Sequence, residues 1–167
     1  MHGGVVASLA LFLRHSARPH MAVVGQVHGS EHFRNIDRHR VAISETVLTV
    51  RIDESLYFAN ARALEDRISS LVACRPALRH VVLMCPAVNL IDLSALESLE
   101  AINRRLAEAD ISFHLSEVKG PVMDRLARSH FLDELTGRVF LSQHAAMQAL
   151  DPEMTRAADG LVRDAAS

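Results

Sequence analysis

Aromatic residues are scarce in this chain, which has no Trp, one Tyr and six Phe among its 167 residues. They make up 4% of the sequence, whereas hydrophobic residues make up 49%. The core must therefore be built from Leu, Val, Ile and Ala. Proteins that bind single-stranded nucleic acids stack the bases on exposed aromatic side chains, so the composition argues against that class.

An excess of basic charge is also missing. The 18 Lys and Arg residues stand against 20 Asp and Glu residues, which leaves a formal net charge of −2. Proteins that bind DNA or RNA through the phosphate backbone need a positive field to attract it. We therefore predict no nucleic-acid partner for this chain.

The two cysteines, Cys74 and Cys85, form no CxxC pair and show no metal-ligand spacing. We expect both to be reduced, with Cys85 in a buried strand and Cys74 at the end of a helix. His28 and His32 have the spacing of one helical face, but Gly29 between them opposes a helix. Zinc sites need three or four convergent ligands, so no metal site is predicted.

The first 19 residues contain the longest apolar run of the chain, "VVASLALFL", at residues 5–13, followed by Arg14 and Arg18. A helix that spans a bilayer needs about 20 apolar residues, so this run is too short to span alone. The basic residues come after the run, an order typical of the cytoplasmic end of a membrane helix. Two other interpretations remain: a short helix docked on the domain or on a partner, and an interfacial anchor.

Residues 20–45 mix Gly, His and Arg with short apolar pieces. They are predicted to be a linker that leads into an edge strand at residues 33–37. Alternating apolar residues then predict a strand at residues 47–52. Asn60 is the expected N-cap of a helix over residues 61–73, whose apolar side chains fall on one stripe.

The second half of the chain continues this alternation of strands and helices. The continuous apolar run at residues 80–85 is typical of a strand buried on both faces. A helix with Leu96, Leu99, Ile102 and Leu106 on its apolar stripe follows, and then a strand at residues 111–118. The remaining predicted features are a helix opened by Pro121 with Val122, Leu126 and Phe131 facing inward, a stop at Gly137, a short strand at residues 138–141, and a helix from Ser142 to Leu150.

This order of elements predicts an α/β layered fold with a mostly parallel sheet after an antiparallel start. The repeat-free pattern indicates one domain over residues 20–150. Residues 151–167 contain few large apolar side chains, so we predict a mobile tail there.

The stretch "NLIDLSALESLE", from Asn89 to Glu100, contains the candidate site. Ser94 and Glu97 match the capping box S-x-x-E, and Asp92 is an alternative cap. A helix N-terminus also attracts anions. Phosphorylation of Ser94 would place roughly −1.5 to −2 charges near Asp92 and Glu97. We would expect that change to alter a binding surface without unfolding the helix.

Catalysis by Ser94 is not predicted. A nucleophilic Ser needs a base that a third group orients, and no G-x-S-x-G motif surrounds it. His80 and His114 lie in predicted strands, and the linear sequence brings neither to Ser94. The sequence also has no HExxH, Walker A or GxGxxG motif, so neither an enzyme nor a resident cofactor is predicted.

The same stretch resembles the signature loop and helix of STAS domains. Four further segments resemble parts of the STAS domains of SulP anion transporters, the sulfate permease family. They are "LYFANA" at the strand-to-helix connection, "GQVHGSEHFRNIDRH" in the link from the last membrane helix, and "GPVMDRLARSHFLDEL" and "VFLSQHAAMQAL" in the later helices. The resemblance covers roughly residues 20–150 of the chain.

The resemblance implies an α/β sandwich with a mixed, mostly parallel sheet of about four to six strands and about four to five helices. In stand-alone members, the anti-sigma factor antagonists, a Ser at the position of Ser94 is phosphorylated by a partner kinase. The usual motif of these members is D-S-S-G, whereas this sequence has Asp92-Leu93-Ser94-Ala95. Leu93 and Ala95 therefore make the start of the predicted helix more apolar. Asn89 and Glu97 complete the predicted loop and helix start.

For SulP proteins, the resemblance implies a domain on the cytoplasmic face of the inner or plasma membrane, within a multi-pass protein. Its expected partners are the transmembrane part of its own transporter and cytoplasmic regulatory proteins, and a homodimer would form through the full-length transporter. Weak nucleotide binding is implied by the family, although no phosphate-binding loop in this sequence supports it.

Overall fold

The computed structural model describes residues 20–39 and 41–160 of the chain. Within these residues, six strands form one sheet and six helices pack on it. The strands are β1 (Met21–Gln26), β2 (Phe33–Asn35), β3 (Val47–Ile52), β4 (His80–Met84), β5 (Ser112–Ser116) and β6 (Val139–Phe140). The helices are α1 (Phe58–Ala73), α2 (Leu93–Glu108), α3 (Gly120–Ala127), α4 (Phe131–Glu134), α5 (Gln143–Leu150) and α6 (Pro152–Gly160).

The sheet has the strand order β2-β1-β3-β4-β5-β6. β1 pairs antiparallel with both β2 and β3, and the pairs from β3 to β6 are all parallel. This arrangement confirms the predicted mostly parallel sheet with an antiparallel start. Because the parallel strands all end at the same edge, the loops and helix N-termini that follow them meet there.

Helices cover both faces of the sheet, as a sandwich requires. One face packs against α1, α2, α3 and α4 around fully buried side chains such as Leu64, Leu83 and Leu99. The other face packs against α5 around a smaller cluster that includes Val82, Ala146 and Met147. β4 is buried on both sides, which explains its continuous apolar sequence.

The prediction of a linker over residues 20–45 is wrong where β1 lies. The backbone of β1 forms hydrogen bonds with β2 on one side and β3 on the other, and both strands come later in the sequence. Gly25 suggested a linker, yet it is required inside the strand. A Cβ at this position would lie 2.5 Å from the Ala42 carbonyl oxygen, and Ala42 pairs with the backbone of Gln26. The glycine therefore permits close packing of two backbones.

Several helix boundaries also differ from the predictions. α1 begins at Phe58 with Tyr57 as N-cap, so Asn60 is not the cap. The Asn60 side chain lies one turn inside the helix, where its oxygen accepts a hydrogen bond from the Tyr57 N–H at 2.7 Å. Pro121 opens α3 as predicted, but the helix ends at Ala127 and α4 is separate. Gly137 therefore does not stop the helix that Pro121 opens.

The mobile tail predicted from residue 151 is wrong for residues 152–160, which form α6. Thr155 and Ala158 of this helix are buried, and the Ala158 carbonyl accepts a hydrogen bond from Gly29 N–H at 2.7 Å. Small side chains make these contacts, so the absence of large apolar residues was misleading. Residues 161–167 lie outside the described part of the chain.

The predictions for residues 1–19 also lie outside the described residues. Over the ranges 20–39 and 41–160, no helix has the length and apolar character needed to cross a membrane.

Candidate functional site

The predicted site lies at the edge where β3 and β4 end and where α1 and α2 begin. Beyond the two strands, the chain segments stay side by side: Leu56 N–H donates to the Leu90 carbonyl at 3.0 Å, and Asp92 N–H donates to the Leu56 carbonyl at 3.3 Å. Leu56 itself is fully buried. The ladder thus holds the loop after β3 against the loop after β4.

Asp92 is the residue that joins the two helices. Its Oδ1 accepts a hydrogen bond from Ala95 N–H at 2.7 Å, which makes Asp92 the N-cap of α2. Its Oδ2 accepts from Phe58 N–H of α1 at 3.3 Å. One carboxylate therefore satisfies amides at two helix N-termini, where the helix dipoles favour negative charge.

The capping box predicted at Ser94 is wrong, because Ser94 is already the second residue of α2. Glu97 is solvent-exposed and lies too far into the helix to close such a box. The aspartate is a charged acceptor and lies between two sets of free amides, so it takes the capping position. The Ser94 side chain is half-buried beside it.

Asn89 is held by two side chains that the sequence reasoning missed. Its N–H donates to the Ser55 hydroxyl oxygen at 3.1 Å, and the same oxygen accepts from Leu90 N–H at 3.2 Å. Lys119, which follows β5, donates from Nζ to Asn89 Oδ1 at 2.6 Å. No local sequence signal marks Ser55 or Lys119, since only the order β3-β4-β5 in the sheet brings them to Asn89.

Large apolar side chains are exposed around this joint. They are Tyr57 (48% exposed), Phe58 (62%), Leu90 (53%) and Leu93 (61%), and we refer to these four residues as the apolar rim. The hydrogen-bonded ladder places the two pairs on adjacent backbones. Exposed apolar side chains in one place are typical of an interaction surface.

The two histidines considered as partners of Ser94 do not reach it. His80 begins β4, whereas Ser94 follows the opposite end of that strand. His114 lies in the middle of β5 and contacts His80 instead, with 3.1 Å between His80 Nδ1 and His114 Nε2. The structure therefore brings together Asn89, Asp92, Leu93, Ser94 and Ala95 without either histidine.

Substitution at Asp92 and at Ser94 should separate the two capping hypotheses. We expect Asp92→Ala to lower the free energy of unfolding by about 2 kcal/mol, because amides of two helices lose their acceptor. Ser94→Ala should change it by less than about 0.5 kcal/mol, since Ser94 does not cap the helix. Urea unfolding of both variants measures this difference, and an equal loss in the two would contradict the assignment of the cap to Asp92.

A comparison with protein families identifies the family of the domain. The family model described as the STAS domain matches residues 39–146, which include β3 to β6 and the whole of the candidate site. The chain belongs to the STAS domain family. The resemblance of this chain to STAS domains is thus confirmed.

The known proteins that are similar to this chain include transporters. Sulfate transporter 1.3 of Arabidopsis thaliana is 29% identical over 160 residues, which cover 89% of this chain and 24% of that protein. The murine Slc26a9 anion transporter superposes with a TM-score of 0.72 at 17% identity, over 89% of this chain and 25% of that one. The STAS domain of a SulP transporter from Vibrio cholerae gives a TM-score of 0.54 at 17% identity, over 79% and 94% of the two chains. This STAS domain chain spans about a quarter of the length of the curated relatives it matches.

Proposed function

We propose that this chain is the non-catalytic, cytoplasmic regulatory and interaction domain of a SulP-type secondary transporter of sulfate-like anions. The observation that carries the proposal is the pattern of coverage. Sulfate transporters match 87–90% of this chain in several cases, while the chain accounts for about a quarter of their length.

The partners in this proposal follow from the position of such a domain. It contacts the transmembrane part of its own transporter and cytoplasmic regulatory proteins, at the cytoplasmic face of the membrane, and dimerises through the full-length transporter. It needs no resident cofactor and binds no nucleic acid. The exposed apolar rim at the joint of α1 and α2 supports a role in binding, because an enzyme site needs convergent polar groups in a pocket.

Fractionation of the native cells tests this proposal. An antibody raised against the domain should detect a band several times larger than 18.4 kDa, present in membranes and removed only by detergent. Loss of the gene segment that encodes the domain should then reduce uptake of labelled sulfate. A single free band at 18.4 kDa in the soluble fraction would overturn the proposal.

A second candidate is a stand-alone anti-sigma factor antagonist that is switched by phosphorylation of Ser94. The observation that favours it is the half-buried Ser94 directly beside the cap Asp92 at the start of α2. A cognate kinase should then add one phosphate to the chain, detected by intact mass, and Ser94→Ala should abolish the addition. If the wild-type chain stays unmodified, this candidate is wrong.

A further inference from the structure

The end of the sheet that carries the candidate site also carries most of the exposed large apolar side chains. Among the described residues, six such side chains are exposed, and four of them form the apolar rim. A fifth, Leu141, is 95% exposed and follows β6 at the same end. The sixth, Ile43, precedes β3 and lies away from this end. The concentration at one end distinguishes this surface from scattered exposed residues, which need no explanation.

The segment that precedes the domain joins it at this same end. The carbonyl of His20 accepts a hydrogen bond from Asp53 N–H at 2.8 Å, and His20 N–H donates to Glu54 Oε1 at 3.1 Å. Asp53 and Glu54 lie in the loop that leads from β3 to the rim residues Tyr57 and Phe58. At His20, the chain therefore enters the domain beside the rim.

The charges around the rim are mostly negative. The loops after β3, β4 and β5 and the first turns of α1 and α2 carry more carboxylates than basic side chains. The acidic residues are Asp53, Glu54, Asp92, Glu97 and Glu117. The basic ones are Arg62, Lys119 and Arg51, which pairs with Asp53 at 2.6 Å, so the acidic residues still outnumber the basic ones. Lys119 already donates to Asn89 at 2.6 Å. A partner that fits this surface must therefore be apolar and carry basic residues at its border.

The rim is also held in place by its surroundings. Asp92 joins the N-termini of α1 and α2, and the Ser55 hydroxyl oxygen accepts the amides of Asn89 and Leu90. A surface fixed by such bonds loses little conformational entropy on binding. Exposed apolar side chains on a rigid frame are therefore suited to a permanent contact.

From these observations we propose that the apolar rim is the docking surface for the cytoplasmic ends of the membrane helices of the same transporter. This inference rests on the proposed function. The cytoplasmic ends and loops of membrane helices are apolar and enriched in Lys and Arg, so they complement both the rim and its carboxylates. The anionic inner leaflet would be repelled by the same carboxylates. In a two-fold contact between two copies of this domain, the carboxylates around one rim would face the same carboxylates of the other copy and repel them.

The native cysteines allow a direct test by thiol labelling. In the natural protein in its own membranes, Leu93→Cys adds one thiol to the rim. Cys74 is exposed at the far end of α1, so it reports unhindered labelling in the same molecule. Cys85 is buried, and burial raises the pKa of its thiol to about 12, so Cys85 should not react with the maleimide. We expect a bulky maleimide to label the introduced thiol about tenfold more slowly than Cys74, because only an accessible thiolate reacts.

The matched control is the same variant of the 167-residue chain alone, in which both thiols should react at similar rates. A photoreactive maleimide at the rim, in a Cys74→Ser background, then identifies the neighbour by mass spectrometry. A crosslinked peptide from a basic cytoplasmic loop or membrane helix of the same transporter supports the proposal.

Equal labelling of both thiols in membranes would overturn the docking surface, as would a crosslink to lipid, to a soluble protein or to the rim of a second copy. These results would leave the proposed function intact if the protein is still large and membrane-bound. If the natural protein instead runs as a free 18.4 kDa chain, both proposals fail, and its size alone shows this before any labelling.

Discussion

Gly137→Ala should destabilise the domain by about 3 kcal/mol, which for a chain of this size lowers the melting temperature by roughly 10 °C. A Cβ at Gly137 would overlap the Phe113 carbonyl oxygen and the imidazole of His114. The overlap cannot be relieved easily, because Gly137 N–H donates to that same carbonyl at 3.0 Å. Neighbouring bonds fix the loop as well: Arg138 N–H donates to His114 Nδ1 at 3.0 Å, and the Thr136 hydroxyl accepts from Phe113 N–H at 2.9 Å.

The chain offers a matched control at Gly120, the first residue of α3. A Cβ there meets no atom within 4 Å. Gly120→Ala should therefore be neutral or stabilise the domain by up to about 1 kcal/mol, because alanine restricts the unfolded chain. Thermal unfolding of both variants measures the difference. If the two substitutions had equal effects, close packing at Gly137 would not be the cause.

Acidification should destabilise the native domain through His114 as the pH falls from 6.5 to about 4. His114 is buried in β5 with only 4% of its surface exposed. Burial is the main cause that lowers the pKa of His114 to about 4, and the nearby charges of His80 and Arg138 lower it further. Burial also lowers the pKa of His80.

The hydrogen bonds define the protonation state that is lost. His114 Nδ1 accepts from Arg138 N–H, so the neutral ring carries its proton on Nε2 and donates to His80 Nδ1 at 3.1 Å. A second proton on His114 would have to displace the bond from Arg138. Above pH 6.5, His114 is neutral in both the folded and the unfolded chain, and it makes no difference to stability.

Below pH 6.5 the unfolded chain binds a proton that the native state does not accept, so stability decreases as the pH falls. The loss is complete near pH 4, where it reaches about 3 kcal/mol. Urea unfolding between pH 7.5 and pH 4.5 follows it. His114→Asn is the matched control, because an amide oxygen replaces the Nδ1 acceptor but does not titrate. If the variant lost stability with the same pH dependence as the wild type, His114 would not be responsible.

The alternation of strands and helices was readable from the sequence because each element carries its own hydrophobic period. The alternating residues of β3, the continuous apolar run of β4 and the apolar stripe of α2 identify themselves locally. Pro121 and Ser142 mark helix starts for reasons of backbone chemistry: Pro121 stands at the start of α3, and Ser142 accepts from Ala145 N–H at 3.1 Å. These local signals were sufficient to predict the order of β2 to β6.

β1 and α6 were not predictable in this way. β1 is interrupted by Gly25 and α6 has few large apolar side chains, and both elements depend on partners from other parts of the chain. Gln26 of β1 is buried and donates from Nε2 to Asp159 of α6 at 2.7 Å, although the two residues are far apart in sequence. A contact of this kind exists only after the sheet has formed, so no window of the sequence could indicate it.

The stretch from Asn89 to Glu100 contains a helix start, as predicted, but the cap is Asp92, the alternative, and not Ser94. A capping box is a local motif, and Ser94 with Glu97 satisfied it. The N-terminus of α1 decides which residue is the cap, because the Phe58 N–H of α1 donates a hydrogen bond to the carboxylate of Asp92. That advantage of Asp92 over Ser94 comes from the packing of α1 on α2, which the sequence of α2 alone does not contain.

By itself, the sequence determined the fold class, the membership of the STAS domain family and the helix start after β4, since these follow from hydrophobic periodicity, from the residues that begin and end helices, and from the order of the motifs. Only the tertiary structure decided that Asp92 caps two helices and that Ser55 and Lys119 hold Asn89. It also decided that four apolar side chains share the end where the N-terminal segment joins. The physical reason is that parallel strands bring their carboxyl ends together at one edge, however far apart they lie in the chain.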